Sequence, residues 1–176
     1  MFDDIEFGGG YPHVTEEIKR AASLMIVEGR GDGVFDPSAE VTGQEAVTMF
    51  LRAVGVPVKF DSAMDTAAKH GLADDIADPD APMSRIDTAK LIVDVLKDLD
   101  MLGAVPTAEE AKELLKDFTD LDDLSDDELI NLAVCFELGI FKGAGDGHMN
   151  PNDELLRSHM ASLAIRLQDV ILGAEI

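Results

Sequence analysis

The sequence predicts an all-α protein built from three helix-loop-helix units, and three observations lead to this prediction. The motif Gly-x-Gly-Asp-Gly, with a proline four residues after its last glycine, occurs twice and ends at Gly33 and at Gly147. Apolar residues recur at helical spacing before and after both motifs. Residues that cap helices stand ahead of several of these apolar stretches. A repeat within one chain indicates several copies of one structural unit.

The first unit is assigned to residues 1–57. Phe2-Asp3-Asp4-Ile5 is followed by a glycine-rich turn and Tyr11, which is read as a plain loop residue. A helix is then predicted from about Thr15, its expected cap, to Val27. Its apolar face is expected to hold Ile18, Ala21, Ala22 and Met25. The loop Gly29 to Pro37 separates this helix from the next.

A second helix of this unit is predicted to begin after Thr42 and to end at Gly55. Thr42 and Glu45 have the spacing of a capping box, in which each side chain satisfies a free main-chain amide at the helix start. The apolar face of this helix consists of Ala46, Met49, Phe50 and Ala53.

Residues 58–104 are interpreted as a degenerate second unit. A short helix is predicted to end at His70-Gly71, and the Gly-Asp-Gly motif is replaced by a shorter acidic loop over 74–79. A shift of 42 positions aligns Pro79 with Pro37 and Ser84 with Thr42. The apolar face repeats in the same register as Leu91, Ile92 and Val95, which argues against a simple linker.

An inserted helix or linker is predicted over 105–117, where Thr107 and Glu110 form another capping box. Leu114 and Leu115 are expected to pack against the body of the protein.

The third unit is assigned to residues 118–176. Phe118-Thr119-Asp120-Leu121 resembles the start of the chain, and a first helix is predicted after Ser125. A shift of 114 positions matches the apolar face of its second helix to that of the first unit, through Met160, Leu163, Ala164 and Leu167. Each unit is too small to bury its own apolar face, so we expect the three to share one core. The matched faces predict a central bundle of the second helices with approximate threefold symmetry.

Composition limits the classes of partner. The chain carries 36 acidic and 14 basic residues and a net charge of -22, which disfavours nucleic acids and anionic membranes. A hydrophobic content of 46% allows a real core, and no apolar run is long enough to span a bilayer. Cys135, the single cysteine, lies in an apolar helical stretch and is expected in the core. The first residues lack the features of a signal peptide, which is consistent with an intracellular protein or a mature segment.

Metal, phosphate and catalytic chemistry are weakly supported. The stretch from Asp146 to Asp153 resembles the later part of a calcium loop, but the earlier ligand positions hold Lys142 and Ala144, which cannot bind calcium. The loops follow helices rather than strands, and no Gly-Lys-Ser/Thr occurs, so a phosphate loop is disfavoured. None of the four histidines has a serine or cysteine partner at local spacing. We therefore predict no enzyme activity, no cofactor and no metal, and we interpret Gly-Asp-Gly as a tight turn closed by its aspartate.

The order of these motifs resembles the S-layer homology (SLH) domain family over nearly the whole chain. The shared pattern is Phe-x-Asp-apolar, a helix, Leu-Gly-Ile-x-x-Gly-x-Gly-Asp-Gly, and then Thr-Arg-x-Glu at a second helix. The resemblance implies three tandem SLH units in a pseudo-threefold spindle. It further implies a noncatalytic module on the bacterial cell surface that anchors proteins to secondary cell-wall polysaccharide, an acidic or pyruvylated glycan bound in grooves between units.

The resemblance also implies which residues bind the glycan. The two arginines of the Thr-Arg-x-Glu positions, Arg85 and Arg157, lie at predicted helix N-termini, where free amides and a fixed cation favour an anion. The first unit has Gly43 at this position, so at most two grooves are equipped. The full set implied is Arg85, Arg157, Gly29, Gly143, Gln44, Asp4 and Asp120.

Other interpretations stay open at this point. The arginines could be surface residues or could pair with neighbouring acids, the glycines could serve the backbone alone, and the aspartates could cap turns. The alternative function is a structural assembly or protein-interaction module that keeps the SLH-like fold, has lost glycan binding and self-associates. The incomplete motifs of the second unit motivate it.

Overall fold

The computed structural model describes residues 2–6 and 14–173, and it confirms the all-α class. Tyr11 lies outside these residues. The described residues contain no sheet, only three isolated bridges between extended residues. They form eight α-helices, which are α1 Asp3–Glu6, α2 Thr15–Ser23, α3 Gly43–Ala53, α4 Ala63–Lys69, α5 Arg85–Asp98, α6 Ala108–Leu114, α7 Asp126–Glu137 and α8 Arg157–Ile171. Two short 3-10 turns, Phe60–Ser62 and Ala73–Asp75, flank α4.

Four helices, α3, α5, α6 and α7, begin where the sequence places caps. The capping boxes predicted at Thr42 and Thr107 are both formed, at the starts of α3 and α6. Ser125 caps α7 in the same way, and the Ser84 hydroxyl accepts from the amide of Asp87, the third residue of α5. Each cap supplies a partner for a main-chain amide that the helix itself leaves without one.

Two predictions about the ends of helices are wrong. Thr15 is the first residue of α2 rather than its cap, which is Val14, and α2 ends at Ser23 instead of Val27. Met25 has a left-handed backbone with φ of 58° and is 75% exposed, so it does not belong to the buried face. The amide of Ile26 donates to the carbonyl of Ala21 at 2.9 Å and closes the helix end.

The inserted helix α6 is also shorter than the predicted segment. It packs against α7, and Leu115 just after it is 1% exposed, as expected. Leu114 is 39% exposed, so the expectation that it packs against the body is wrong. A helix of seven residues presents only one narrow face to its neighbour, and the buried Ala111 lies on that face, four residues before Leu115.

The segments assigned to the three predicted units share one core, as the apolar pattern predicts. The first helix of each unit packs on the second helix of another unit, α2 on α8, α4 on α3 and α7 on α5. The predicted apolar faces of α3, α5 and α8 are all buried. Cys135 on α7 is fully buried, its thiol points to the carbonyl of Ala89 on α5, and burial raises the pKa of that thiol. No unit therefore completes its core without a neighbour.

A closed cycle of hydrogen bonds joins the three segments that precede α3, α5 and α8. The amide of Val41 donates to the carbonyl of Leu155, that of Leu155 to Met83, and that of Met83 back to Val41, each at 2.9 Å. Each residue stands two positions before its helix. In the part of the chain that is described, no helix is both long and apolar enough to cross a membrane.

Candidate functional site

The loops of the first and third units are held by the same carboxylate contacts. Asp4 accepts from the amides of Phe35 and Asp36, at 2.9 and 2.7 Å. Asp120 accepts from the amides of Met149 and Asn150, at 3.0 and 2.7 Å. The aspartate of each Phe-x-Asp motif thus binds the main chain just after the Gly-Asp-Gly of its own unit. This gives both residues a structural role, and a direct contact with a glycan stays a prediction.

Gly29 and Gly143 are needed because a ring lies directly on them. A Cβ atom added to Gly143 would lie 2.3 Å from Cε1 of Phe118, and one added to Gly29 would lie 2.7 Å from Cε1 of Phe2. Real Cβ atoms do not approach other atoms so closely. The phenylalanine of each Phe-x-Asp motif therefore packs on the first glycine of the loop. At Gly29 the carbonyl of Val34 is equally close, at 2.6 Å.

Arg157, the first residue of α8, reaches across to the loop of the first unit. Its Nε donates to the carbonyl of Phe35 at 3.0 Å, and Nη2 donates to that of Glu28 at 2.9 Å. The guanidinium carbon stands 4.8 Å from the centre of the Phe35 ring, close enough for a cation–π interaction. Nη1 pairs with the carboxylate of Glu45. Arg157 is 3% exposed.

Arg85, the first residue of α5, makes equivalent contacts with the loop of the third unit. Its Nε donates to the carbonyl of Met149 at 2.8 Å, and Nη2 donates to that of Lys142 at 3.2 Å. The guanidinium carbon lies 4.9 Å from the centre of the Phe141 ring. A shift of 114 positions relates Met149 to Phe35 and Lys142 to Glu28. Burial lowers the pKa of both arginines, yet each guanidinium stays charged at neutral pH.

Each arginine lines a cavity at the contact between two units. The Arg85 groove has a volume of about 440 Å³, and its wall includes Lys142, Gly143, His159, Ser162 and Arg166. The Arg157 groove has a volume of about 230 Å³, and its wall includes Glu28, Gly29, Glu45, Thr48 and Arg52. These two sets correspond one to one at a shift of 114 positions. The two grooves are therefore the same site in two copies, with different side chains.

The third contact between units is closed at the corresponding point. Gly43, at the arginine position of the first unit, is buried, and a Cβ atom added there would lie 2.6 Å from Cγ2 of Ile76. Gln44 donates from Nε2 to the carbonyl of Phe60 at 2.8 Å. Phe60 lines the Arg157 groove, so Gln44 stands behind the edge of that groove. The gap that the missing arginine would leave is filled by Ile76.

Comparison with known proteins identifies two of the units. Residues 9–47 and 117–161 match the model of the S-layer homology domain. The first and third units belong to the S-layer homology domain family. SLH domains generally serve as cell-wall anchoring modules and bind cell-wall polymers. Residues 48–116 have no match to that model, so the second SLH unit stays a prediction. No curated protein matches the chain.

Sequence reasoning located Arg85 and Arg157 but missed the residues around them. It did not predict that Lys142 and Arg166 line the Arg85 groove, nor that Glu45 pairs with Arg157. The alignment at a shift of 114 positions contained the signal, because it places Lys142 on Glu28 and Arg166 on Arg52. For Arg157 the structure supports the interpretation in which the arginine pairs with a neighbouring acid.

Proposed function

We propose that this chain is a noncatalytic anchoring module of a bacterial cell surface that binds secondary cell-wall polysaccharide in the grooves between its units. The expected ligand is an acidic or pyruvylated glycan. One observation carries the proposal: Arg85 is held by two main-chain carbonyls at the wall of a 440 Å³ cavity between units. Because these bonds set its orientation in advance, little conformational freedom is lost when a ligand binds.

The grooves depend on the arrangement of the units, which we propose to be three SLH-like units over 1–57, 58–104 and 118–176, with 105–117 as an insertion. The closed cycle of hydrogen bonds through Val41, Met83 and Leu155 supports a pseudo-threefold spindle. So does the way each first helix packs on the second helix of another unit.

Of the remaining predicted residues, some would contact the glycan and others would support the groove. Gly29 and Gly143 form part of the groove walls and are available to it directly. Asp4 and Asp120 would act by holding the loops in shape, since their carboxylates bind main-chain amides. Gln44 would support the edge of the Arg157 groove through Phe60.

Binding to purified cell-wall sacculi tests the proposal. The chain should sediment with sacculi that retain their secondary polysaccharide and should stay in solution with sacculi from which it has been removed. Arg85→Ala should reduce retention, whereas Glu137→Gln, which changes an exposed side chain on α7, should not. Equal retention by both kinds of sacculi would contradict glycan anchoring.

A second candidate function is a structural assembly module that has lost glycan binding and self-associates. Two observations favour it: Glu45 pairs with Arg157, and Ile76 closes the third contact. Light scattering would then show oligomers, and Arg85→Ala would leave retention on sacculi unchanged. A monomer whose retention falls with Arg85→Ala would exclude this function.

A further inference from the structure

We propose that only the Arg85 groove takes a carboxylate-bearing sugar, and that the Arg157 groove already holds its own carboxylate, that of Glu45. This inference rests on the proposed function and specifies which groove does the binding. Glu45 is then an internal counter-ion that ties α3 of the first unit to the start of α8, and Arg157 is a structural clamp between these units.

The charged side chains of the two grooves differ at three corresponding positions. Glu45, Glu28 and Arg30 of the Arg157 groove correspond to His159, Lys142 and Ala144 of the Arg85 groove. The Glu45 carboxylate binds Nη1 of Arg157 and lies 3.3 Å from Nη2 of Arg30. The Glu28 carboxylate pairs with Arg52 at 3.3 Å. Every arginine of this groove thus has a carboxylate partner within the protein.

Arg85 keeps unused donors. Its Nε and Nη2 are bound to main-chain carbonyls, but its Nη1 has no hydrogen-bond partner among residues 2–6 and 14–173. A guanidinium binds carboxylates through such N–H groups. The position at which Glu45 meets Nη1 of Arg157 is therefore the position at which a ligand carboxylate would meet Nη1 of Arg85. His159, at the place of Glu45, supplies no carboxylate.

The other charged side chains of the Arg85 groove do not occupy the position beside Nη1 of Arg85. Arg166 pairs with Glu17 at 3.1 Å. Lys142 is exposed and forms no ion pair with the described residues. Asp153 and Glu154 also line the groove. The main-chain carbonyl of Asp153 accepts from the amide of Arg85 at 3.0 Å, but neither carboxylate is hydrogen-bonded to the guanidinium. The Glu154 carboxyl instead interacts with Glu40, which raises the pKa of Glu154. The selectivity of the Arg85 groove for a carboxylate thus comes from the N–H groups of Arg85 Nη1 rather than from the net charge of the groove.

The volumes of the two grooves agree with the proposal that only the Arg85 groove binds a sugar. Ligand pockets in proteins generally measure about 300–1,000 Å³. The Arg85 groove, at about 440 Å³, falls within this range. The Arg157 groove, at about 230 Å³, falls below it.

Titration with a defined sugar tests the inference. The probe is a pyruvylated N-acetylhexosamine methyl glycoside, and the same glycoside without the pyruvyl group is its control. We expect calorimetry to give one site per chain for the pyruvylated probe. In amide NMR spectra the signals of Gly143 and Ala144 should shift, and those of Gly29 and Arg30 should not. The control sugar should bind more weakly by about tenfold or more, since it lacks the charged partner of Arg85.

A matched pair of substitutions at one position sharpens the test. His159→Glu places a carboxylate where Glu45 stands in the other groove, and it should weaken probe binding by about tenfold or more. His159→Gln has nearly the same size without the charge and should keep binding, which separates the effect of charge from any effect on folding. Glu45→Gln should make the amides of Gly29 and Arg30 respond as well, because it frees Nη1 of Arg157. Glutamine can still complete the capping box of α3.

The outcomes distinguish this inference from the proposed function. If sacculi retain the chain but the probe shifts the Arg157 groove, both grooves or neither, the inference is wrong and anchoring stands. Equal effects of His159→Glu and His159→Gln would also overturn it. If sacculi do not retain the chain in a polysaccharide-dependent way, the proposed function itself fails.

Discussion

The carboxylates of Asp4 and Asp120 each bind two consecutive main-chain amides and so connect the beginning of a unit to its loop. The phenylalanine two residues before each aspartate packs on the first glycine of the same loop, as Phe118 does on Gly143. Since the loop carries the carbonyls that hold an arginine of another unit, these small contacts decide where the guanidinium lies.

Asp120→Ala should lower the free energy of unfolding by about 2 kcal/mol, because the amides of Met149 and Asn150 lose their acceptor while partly buried. Denaturant unfolding measures the change.

The control for this substitution is Asp32→Asn. Asp32 does not close its turn as the sequence predicted, because its side chain forms no hydrogen bond or ion pair with the described residues, whereas Asp146 accepts from the amide of His148. The φ of Asp32, 49°, suits asparagine. It should change stability by less than about 0.5 kcal/mol. Similar losses for Asp120→Ala and Asp32→Asn would contradict a special role for Asp120.

The starts of α3, α5 and α8 are where the units are joined. The first two amides of each helix donate to carbonyls of a loop in another unit, from Gly43 and Gln44 to Ala81 and Pro79, from Arg85 and Ile86 to Asp153 and Pro151, and from Arg157 and Ser158 to Ala39 and Pro37. These amides have no partner inside their own helix. Among the described residues α8 has no side-chain cap, because Leu156 stands at the position that Thr42 and Ser84 occupy before α3 and α5.

Gly43→Ala should destabilise the protein by about 1–3 kcal/mol, because the new methyl group would meet Cγ2 of Ile76 at 2.6 Å. The effect should depend on Ile76. In an Ile76→Ala background the same change should cost at least about 1 kcal/mol less, which denaturant unfolding of the four proteins in the cycle would show. Costs that add within about 0.5 kcal/mol would mean that Ile76 does not close this contact.

The whole molecule carries a net charge of -22 around one shared core. Acidic groups meet even at the cycle of hydrogen bonds that joins the units. Glu40 and Glu154 each precede a residue of that cycle, and the pKa of the Glu154 carboxyl is raised by its hydrogen bond with Glu40 and by the repulsion of that second carboxylate.

Glu154→Gln should therefore stabilise the protein at neutral pH. A raised carboxyl pKa means that the folded protein holds the proton more tightly than the unfolded chain, so the contribution is present at low pH and is lost as the pH rises through the folded pKa. The melting temperature at pH 7 should rise more for Glu154→Gln than for Glu137→Gln, and the difference should vanish near about pH 3.5.

Glu137 is the matched control, because it is an exposed acid that forms no ion pair with the described residues, so its substitution reports only the general effect of lower net charge. An equal rise for both variants at pH 7 would show that Glu40 and Glu154 are not specifically coupled.

The all-α class, the starts of the four capped helices and the shared core could be predicted from the sequence alone. These features depend on local spacing: a capping residue such as Thr42 and apolar residues three and four apart act within a few residues of each other. Where local signals compete, the prediction failed, as at Met25, where the apolar period continues but the backbone turns.

The difference between the two grooves and the closure of the third contact follow from the packing of helices and could not be predicted from the sequence. Arg157 meets Glu45 across 112 positions of the chain, and Arg85 meets Lys142 across 57. Ile76 closes on Gly43 through a contact that no local pattern encodes. Contacts of this kind exist only after helices from different units pack together, because the packing, and not the spacing along the chain, brings the side chains within reach of one another.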